Sequence, residues 1–343
     1  MAGPKLDFKH GCVDMSHGSG GRAMAQLINE LFVTLLDNEF LVQGNDGTVL
    51  PEAKGRLVIS TDSHVVSPLF FPGGDIGSLS VYGTVNDIAV MGAKPLYLAA
   101  SFILEEGFPL ADLRRIVESM AKASQNAGVM IVTGDTKVVE KGKGDGVFIT
   151  TTGVGVVRDG VTLSGNLARP GDKILLSGSI GEHGMAIMSQ REGLSFDAPI
   201  VSDSAPLQGL IAAMLDCGGK LRALRDPTRG GLVTTLNEIA KQSGVGMMLQ
   251  EASIPVNKTV EAACEFLGLD PLYVANEGKL VAICAPEDAE RMLSVMCNHA
   301  LGEGAVIIGE VHEDRHCFVQ MNTRMGGRRI VDWLTGEQLP RIC

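Results

Sequence analysis

The chain has 343 residues, 45% of them apolar and 4% aromatic, with 40 acidic against 29 basic side chains and a formal net charge of −11. That length is long for one domain and comfortable for two. The acidic balance argues against nucleic acid as the main partner, because phosphate-backbone binding draws on an excess of Lys and Arg. The longest apolar run, PLYLAASFIL, stops at Glu105 and Glu106 and is too short to span a membrane.

At the amino end, MAGPKLDFKHG lacks the apolar core of a secretory leader. The glycine-rich HGSGG then precedes a helical stretch, AMAQLINELFVTLL, and residues 1–45 read as a flexible segment carrying that loop. From Arg56 strands and helices alternate. RLVIST predicts a strand ending at Asp62, GSLSVYGTVNDIAVMGA a helix of small residues, and PLYLAASFIL a strand. LADLRRIVESMAKA sets apolar residues at 110, 113, 117 and 120, a helical stripe. VMIVTGD reads as a strand ending in Asp135, and GVFITTTGVGVV as a longer strand. The turn-rich VVRDGVTLSGNLARPGD puts a boundary at about 158–170, so residues 46–160 form one α+β domain and residues 168–322 a second.

ARPGDKILLSG restarts the pattern with a turn and a strand, and a helix follows from Glu182. GLVTTLNEIAKQSG places Leu232, Leu236, Ile239 and Ala240 on one helical face. KLVAICAPEDAERMLSVM is a strand and then a helix with Ala289, Met292, Leu293 and Met296 in register. AVIIGEV, HCFVQM and RRIVDW predict closing strands, and residues 323–343 a last strand with a mobile polar tail. The seven cysteines (12, 217, 264, 284, 297, 317 and 343) are odd in number and contain no CxxC pair, which suits a reducing cytoplasm. Four or five are expected as buried small apolar residues, with Cys343 the exception because chain ends are rarely buried.

Several signatures of known chemistry are absent: no P-loop, no HExxH, no GxSxG, no paired Cys/His spacing for zinc, no Rossmann fingerprint. Instead acids stand beside glycines or at predicted strand ends: Asp46 in GNDGT, Asp62 in STDS, Asp87 in TVND, Asp135 in TGDTK and Asp226 in RDPTRGG. Taken singly each is a turn residue. Converging, they would supply hard oxygen ligands for Mg²⁺ and contacts for a nucleotide. Asp87 is the hardest to explain as a turn, since it interrupts a helix of apolar and small residues. HGSGGRAM, with His17, Gly18, Gly20 and Gly21, and DPTRGGL, with Arg229 and Gly230, are glycine turns leading into helices where backbone N–H groups can hold phosphate. Lys137 follows Gly134, Asp135 and Thr136 and can meet a γ-phosphate; Glu277 in NEGK can act as a base, with Lys279 as its counter-charge.

The chain closes on PRIC, and ten residues separate Trp333 from Cys343, so an extended tail reaches roughly 33 Å. The thiol shares its residue with the α-carboxylate, which raises its pKa, while Arg341 opposes that trend.

Together HGSGG, STDSHVVSPLFFPGGDIG, GTVND, VTGDTKVV, RDPTRGGL, NEGK and the terminal PRIC resemble the HypE family of hydrogenase maturation proteins, within the larger group of aminoimidazole ribonucleotide (AIR) and selenophosphate synthetases. The resemblance runs from about residue 16 to the last residue. It implies a two-domain α+β, AIR synthetase-like fold, in which the amino-terminal sheets of two copies form a barrel across a homodimer. It further implies that Asp46, Asp87 and Asp226 hold Mg²⁺ and that Asp62 and Asp135 contact ATP. The loop His17–Gly21 would close over the phosphates, with Lys137 and Glu277 assisting the reaction. That reaction is the ATP-dependent dehydration of a carbamoyl group on Cys343 to a thiocyanate. The carbamoyl group comes from a carbamoyltransferase, HypF, and the cyano group passes to a HypC–HypD complex.

Two features depart from the family pattern: an extension before His17, and a single acid at Asp46 where paired acids are commoner. A related synthetase acting on a diffusible substrate is the competing reading. Selenophosphate synthetases carry a reactive Cys or selenocysteine in the glycine-rich segment, whereas here Cys12 lies outside it, and the purine-pathway relatives lack the PRIC tail. A non-enzymatic scaffold with a docking tail is a third, in which Asp87→Asn would leave all activity intact.

Overall fold

A computed structural model describes residues 5–43, 45–194, 196, 198–333 and 341–343. Among them no helix is long and apolar enough to cross a membrane.

The first sheet has four strands in the order Leu57–His64, Val147–Val157, Ala93–Glu105, Met130–Val139. The first three pair antiparallel, and Ala93–Glu105 pairs parallel with Met130–Val139. Two helices cover one face, Ile76–Val90 and Leu110–Ala127. The second carries its predicted stripe, with Leu110, Leu113, Val117 and Met120 all buried. Ile76–Val90 is buried on nearly every side, which is why it is built from small residues. At Gly77 a Cβ would come within 2.4 Å of the Ile116 carbonyl, so the two helices cross where only hydrogen fits. Asp75 caps its amino end through Gly77 and Ser78 N–H. The other face of the sheet is uncovered and presents Leu57, Ile59, Ile103 and Met130 to solvent.

The second sheet has seven strands, ordered Arg328–Ile330, Val319–Asn322, Gly246–Gln250, Val306–His312, Lys173–Leu176, Val281–Cys284, Leu221–Arg225. Gly231–Ser243 packs on one side with Leu232, Leu236, Ile239 and Ala240 buried, and Gln208–Asp216 and Ala289–Cys297 pack on the other. The helix predicted from Glu182 spans Glu182–Arg191.

Several sequence expectations change. The two acid-bearing strands do not end at their acids: they run on to His64 and Val139, leaving Asp62 and Asp135 in mid-strand. AMAQLINELFVTLL is helical but not uniformly so, since Ile28–Val33 is π-wound between Arg22–Leu27 and Thr34–Leu36. Strands Leu221–Arg225 and Gly246–Gln250 and helices Gln208–Asp216 and Lys258–Leu267 escaped the sequence reading, being short elements, although Val260, Ala263 and Cys264 mark the last with a helical stripe. Only Cys264 and Cys284 are buried, not four or five, because Cys12 and Cys297 lie on the surface and Cys217, Cys317 and Cys343 are half-buried.

Candidate active site

The pleat decides which side chains of Leu57–His64 meet the helices. Leu57, Ile59, Thr61 and Ser63 point outward, so Val58, Ser60, Asp62 and His64 face the Ile76–Val90 helix. Ser60 donates its hydroxyl to Asp87 Oδ2 at 2.7 Å, and Asp62 Oδ2 lies 3.4 Å from Nε2 of the buried His64. Burial, then the charge of Asp62, raises the Asp87 carboxyl against the pull of Ser60 and Arg225.

From the second domain, Asp226 directly follows the strand Leu221–Arg225. Gly230 and Gly231 then take φ of 78° and 63°, consecutive left-handed residues that turn the chain into the Gly231–Ser243 helix. Burial and the charge of Asp87 push the Asp226 carboxyl up to about 7. NEGK is no surface turn: Asn276 and Glu277 are buried. Asp203 accepts hydrogen bonds from Glu277 N–H and Gly278 N–H, each at 3.2 Å. Asn86, next to Asp87, donates to the Ala205 and Glu277 carbonyls and accepts from Leu207 N–H at 2.7 Å, tying the two domains together beside Glu277. Burial, then the charges of Asp226 and Asp203, holds the Glu277 carboxyl well above the ordinary range, and its Oε1 has no hydrogen-bond partner.

Against these carboxyls sits the end of the chain. Arg229 Nη2 lies 3.8 Å from Cys343 Sγ. Burial and the neighbouring Glu277 charge push the thiol up to about 12, with Arg229 opposing them. The sequence assigned that opposing role to Arg341, but Arg341 pairs with Asp145 instead. One chain therefore brings together Asp62, Asp87, Asp226, Arg229, Glu277 and Cys343.

The remaining sequence candidates gather elsewhere. Asp135 and Lys137 sit opposite Ser101 and Ile103, on the outer face of the far edge strand. Lys137 Nζ is 2.6 Å from Asp135 Oδ2 and holds that carboxyl low. Gly134, Asp135, Thr136 and Asp46 line a cavity of about 640 Å³ whose apolar wall includes Ile28, Phe32 and Leu36. His17 is buried, accepting Asp14 N–H at Nδ1 at 3.0 Å, and Gly18 lies against Val138, so the glycine-rich loop rests on this same edge strand. At Gly20, with φ of 77°, an added Cβ would meet open space, and the Gly21 carbonyl accepts Ala25 N–H at 3.1 Å.

Of the three acids read as metal ligands, Asp87 and Asp226 share the first cluster and Asp46 lies in the second. Among the described residues no group of three or more His, Cys, Asp or Glu has metal-holding geometry. Asp87 and Asp226 nonetheless fit a divalent cation, being buried carboxylates that repel each other and lack a full counter-charge. Reading by motif missed Asn86, Asp203 and His64. His64 follows Asp62 at the two-residue spacing of one strand face, a usable signal, whereas nothing in VSDSAP marks Asp203.

The sign of the Asp226 shift makes a prediction. Its carboxyl ionises near 3.8 in the unfolded chain and near 7 in the fold. The resulting stability is whole below the lower value, drains between them, and is gone above the upper one. Asp226→Asn should therefore stabilise the metal-free protein by on the order of 2–4 kcal/mol at pH 8 and little at pH 4, read as thermal midpoints.

Models of the AIR synthase related protein match residues 44–157 with its N-terminal domain and residues 169–322 with its C-terminal domain. The chain is 69% identical over 339 residues to the carbamoyl dehydratase HypE of Cupriavidus necator, covering 98% of this chain and 97% of that one. A crystal structure of HypE in complex with ATP superposes with a TM-score of 0.93 at 51% identity, covering 96% of this chain and 99% of the other. HypE in a HypE–HypF complex gives 0.79 at 52% identity, covering 90% and 99%.

Proposed function

Because the chain belongs to the HypE family of AIR synthase-related proteins, we propose that it is an ATP-dependent carbamoyl dehydratase whose substrate is its own carboxyl-terminal cysteine, serving hydrogenase maturation. The observation that carries this reading is the seating of Cys343 Sγ against Arg229, beside a buried Glu277 with a bare oxygen. A thiol held there arrives where carboxylates and an arginine converge.

Carbamoyl on that sulfur is dehydrated in two stages. Its oxygen takes the γ-phosphoryl group of ATP as one N–H proton leaves. The S–C(OPO₃)=NH group then loses phosphate and the second proton, leaving S–C≡N, with ADP and phosphate as the other products. Phosphorylation is needed because an amide oxygen leaves poorly. Arg229, next to the sulfur, offsets negative charge on the reacting group. Glu277 takes a proton from nitrogen; burial and the neighbouring Asp226 and Asp203 charges hold its carboxyl above the ordinary range, which makes the carboxylate a stronger base. Asp87 and Asp226 would hold Mg²⁺, which neutralises charge on the transferring phosphoryl group.

The second cluster joins this site through a homodimer. Leu57–His64 and Met130–Val139 are the two open edges of the first sheet. Pairing the edge of one copy with the opposite edge of another closes the two sheets into a barrel. That pairing would bring the edge strand carrying Asp62 of one copy next to the edge strand carrying Asp135 and Lys137 of the other, and we place ATP, the His17–Gly21 loop and Asp46 as a third metal ligand at that seam. The exposed Leu57, Ile59, Ile103 and Met130 would be covered by that closure, which supports it. The division at about residues 158–170 is supported by the gap between the two family matches. HypF loads Cys343 and a HypC–HypD complex receives the cyano group, in the cytoplasm.

Incubation with HypF, carbamoyl phosphate and ATP, followed by mass spectrometry of the carboxyl-terminal peptide, tests this. The carbamoylated peptide should lose about 18 Da, one water, only when ATP is present. A carbamoyl group that persists through ATP turnover rejects the dehydration.

A further inference from the structure

We propose that His183, Ser202 and Arg191 form a receptor slot that reads the backbone of Arg341–Ile342–Cys343 and sets how long the cysteine stays at the reaction centre. This rests on the carbamoyl dehydratase reading for its purpose, though not for its geometry.

The last residues pair like an added strand. Val65 N–H donates to an α-carboxylate oxygen of Cys343 and Ser67 N–H to the Arg341 carbonyl, both at 3.2 Å. The two bonds step in opposite sequence directions, so the last residues lie antiparallel alongside residues 65–67, just past the Leu57–His64 strand. Between those bonds the Ile342 carbonyl faces away and meets His183 Nε2 at 2.9 Å. A carbonyl only accepts, so Nε2 carries the proton and Nδ1 must accept, at 2.8 Å, from Ser202. Ser202 Oγ in turn accepts Ser204 N–H at 3.1 Å. The chain of donors thus fixes one tautomer of a wholly buried imidazole, and burial holds its pKa down to about 4, so it stays neutral. Phe71 packs against the ring edge-on, with the centroids 5.5 Å apart.

Arg191 closes the other side, donating to the Ser67 carbonyl at 3.1 Å and the Arg341 carbonyl at 2.9 Å, so one guanidinium clamps both strands. Ile342 is 4% exposed and belongs to the first domain's core cluster with Val66 and Ile187. Arg341 has φ of 56°, which a non-glycine residue holds only when contacts on both sides impose it. None of these bonds involves the Cys343 side chain. The bonds of the slot therefore do not depend on what the sulfur carries, as a carrier needs.

Alkylation of the intact protein with iodoacetamide, read as the mass of the carboxyl-terminal peptide, tests the slot directly. Arg191→Met and His183→Phe should each raise the Cys343 labelling rate about tenfold. Labelling of the exposed Cys12 and Cys297 should not change, reporting an intact fold. His183→Gln keeps an N–H donor for the Ile342 carbonyl and should bring the rate back towards wild type. In single-turnover assays the same two variants should slow thiocyanate formation about tenfold while carbamoyl loading by HypF holds or quickens. A general folding defect would slow both steps. Unchanged Cys343 labelling in folded variants, or loading and dehydration falling together, overturns the proposal. Should wild-type protein form no thiocyanate at all, the functional reading fails, and the labelling rates still decide whether the slot exists.

Discussion

Cys343→Ser should abolish thiocyanate formation, by at least about 10³-fold, while leaving the fold and ATP binding intact. The substitution keeps the backbone bond from Val65 N–H and the anchoring of Ile342, since neither uses the sulfur. What it removes is the sulfur beside Arg229, the atom that carries the carbamoyl group to Glu277 in the proposed mechanism. Carbamoyl content and cyanide-ligand assembly on hydrogenase are the measurements. Full assembly by the serine variant, or by a chain ending at Ile342, would end the account of the cysteine as carrier.

Glu277→Gln should lower dehydration by about 10²–10⁴-fold, the usual worth of a positioned proton acceptor. Its environment also fixes the form of the pH profile. With the carboxyl held well above 4.5 in the fold, the base is protonated at low pH, and the rate should climb as pH rises through that higher value. Glutamine should flatten this limb. The same shift gives a stability signature of the sign argued for Asp226. The unfolded chain releases the proton first, so the folded protein loses stability as pH rises above 4.5, and Glu277→Gln should melt higher than wild type at pH 8. A slower enzyme with an unchanged pH profile and no gain in melting temperature would show that Glu277 only spaces the NEGK turn.

How much of this site was legible from sequence varies by residue. Asp87 was legible because a charged residue inside a buried, small-residue helix has no ordinary explanation, and it proves buried beside Ser60. Cys343 was legible from its place behind proline. Glu277 was only half legible: NEGK looks like a solvated turn, and only Asp203 and Asn86, arriving from distant segments, reveal that it is pinned and dry. The strand ends were misread because a local pattern cannot say on which edge a strand continues. That error mattered, since it made Asp62 and Asp135 look like equivalent neighbours in one cleft. They occupy opposite edges and opposite faces of the four-stranded sheet.

Sequence alone determined the α+β elements with strong period, among them Leu110–Ala127 and Gly231–Ser243, and through its motifs the family, and it named the candidate site residues. Those properties are local, set by spacing along the chain and by the side chains themselves. Tertiary structure decided which acids share a site, why Asp226 and Glu277 cling to protons, and that the chain end is seated, not frayed. Each of these depends on burial and on charges brought together from far apart in sequence, and neither desolvation nor Coulomb repulsion exists until the chain has folded.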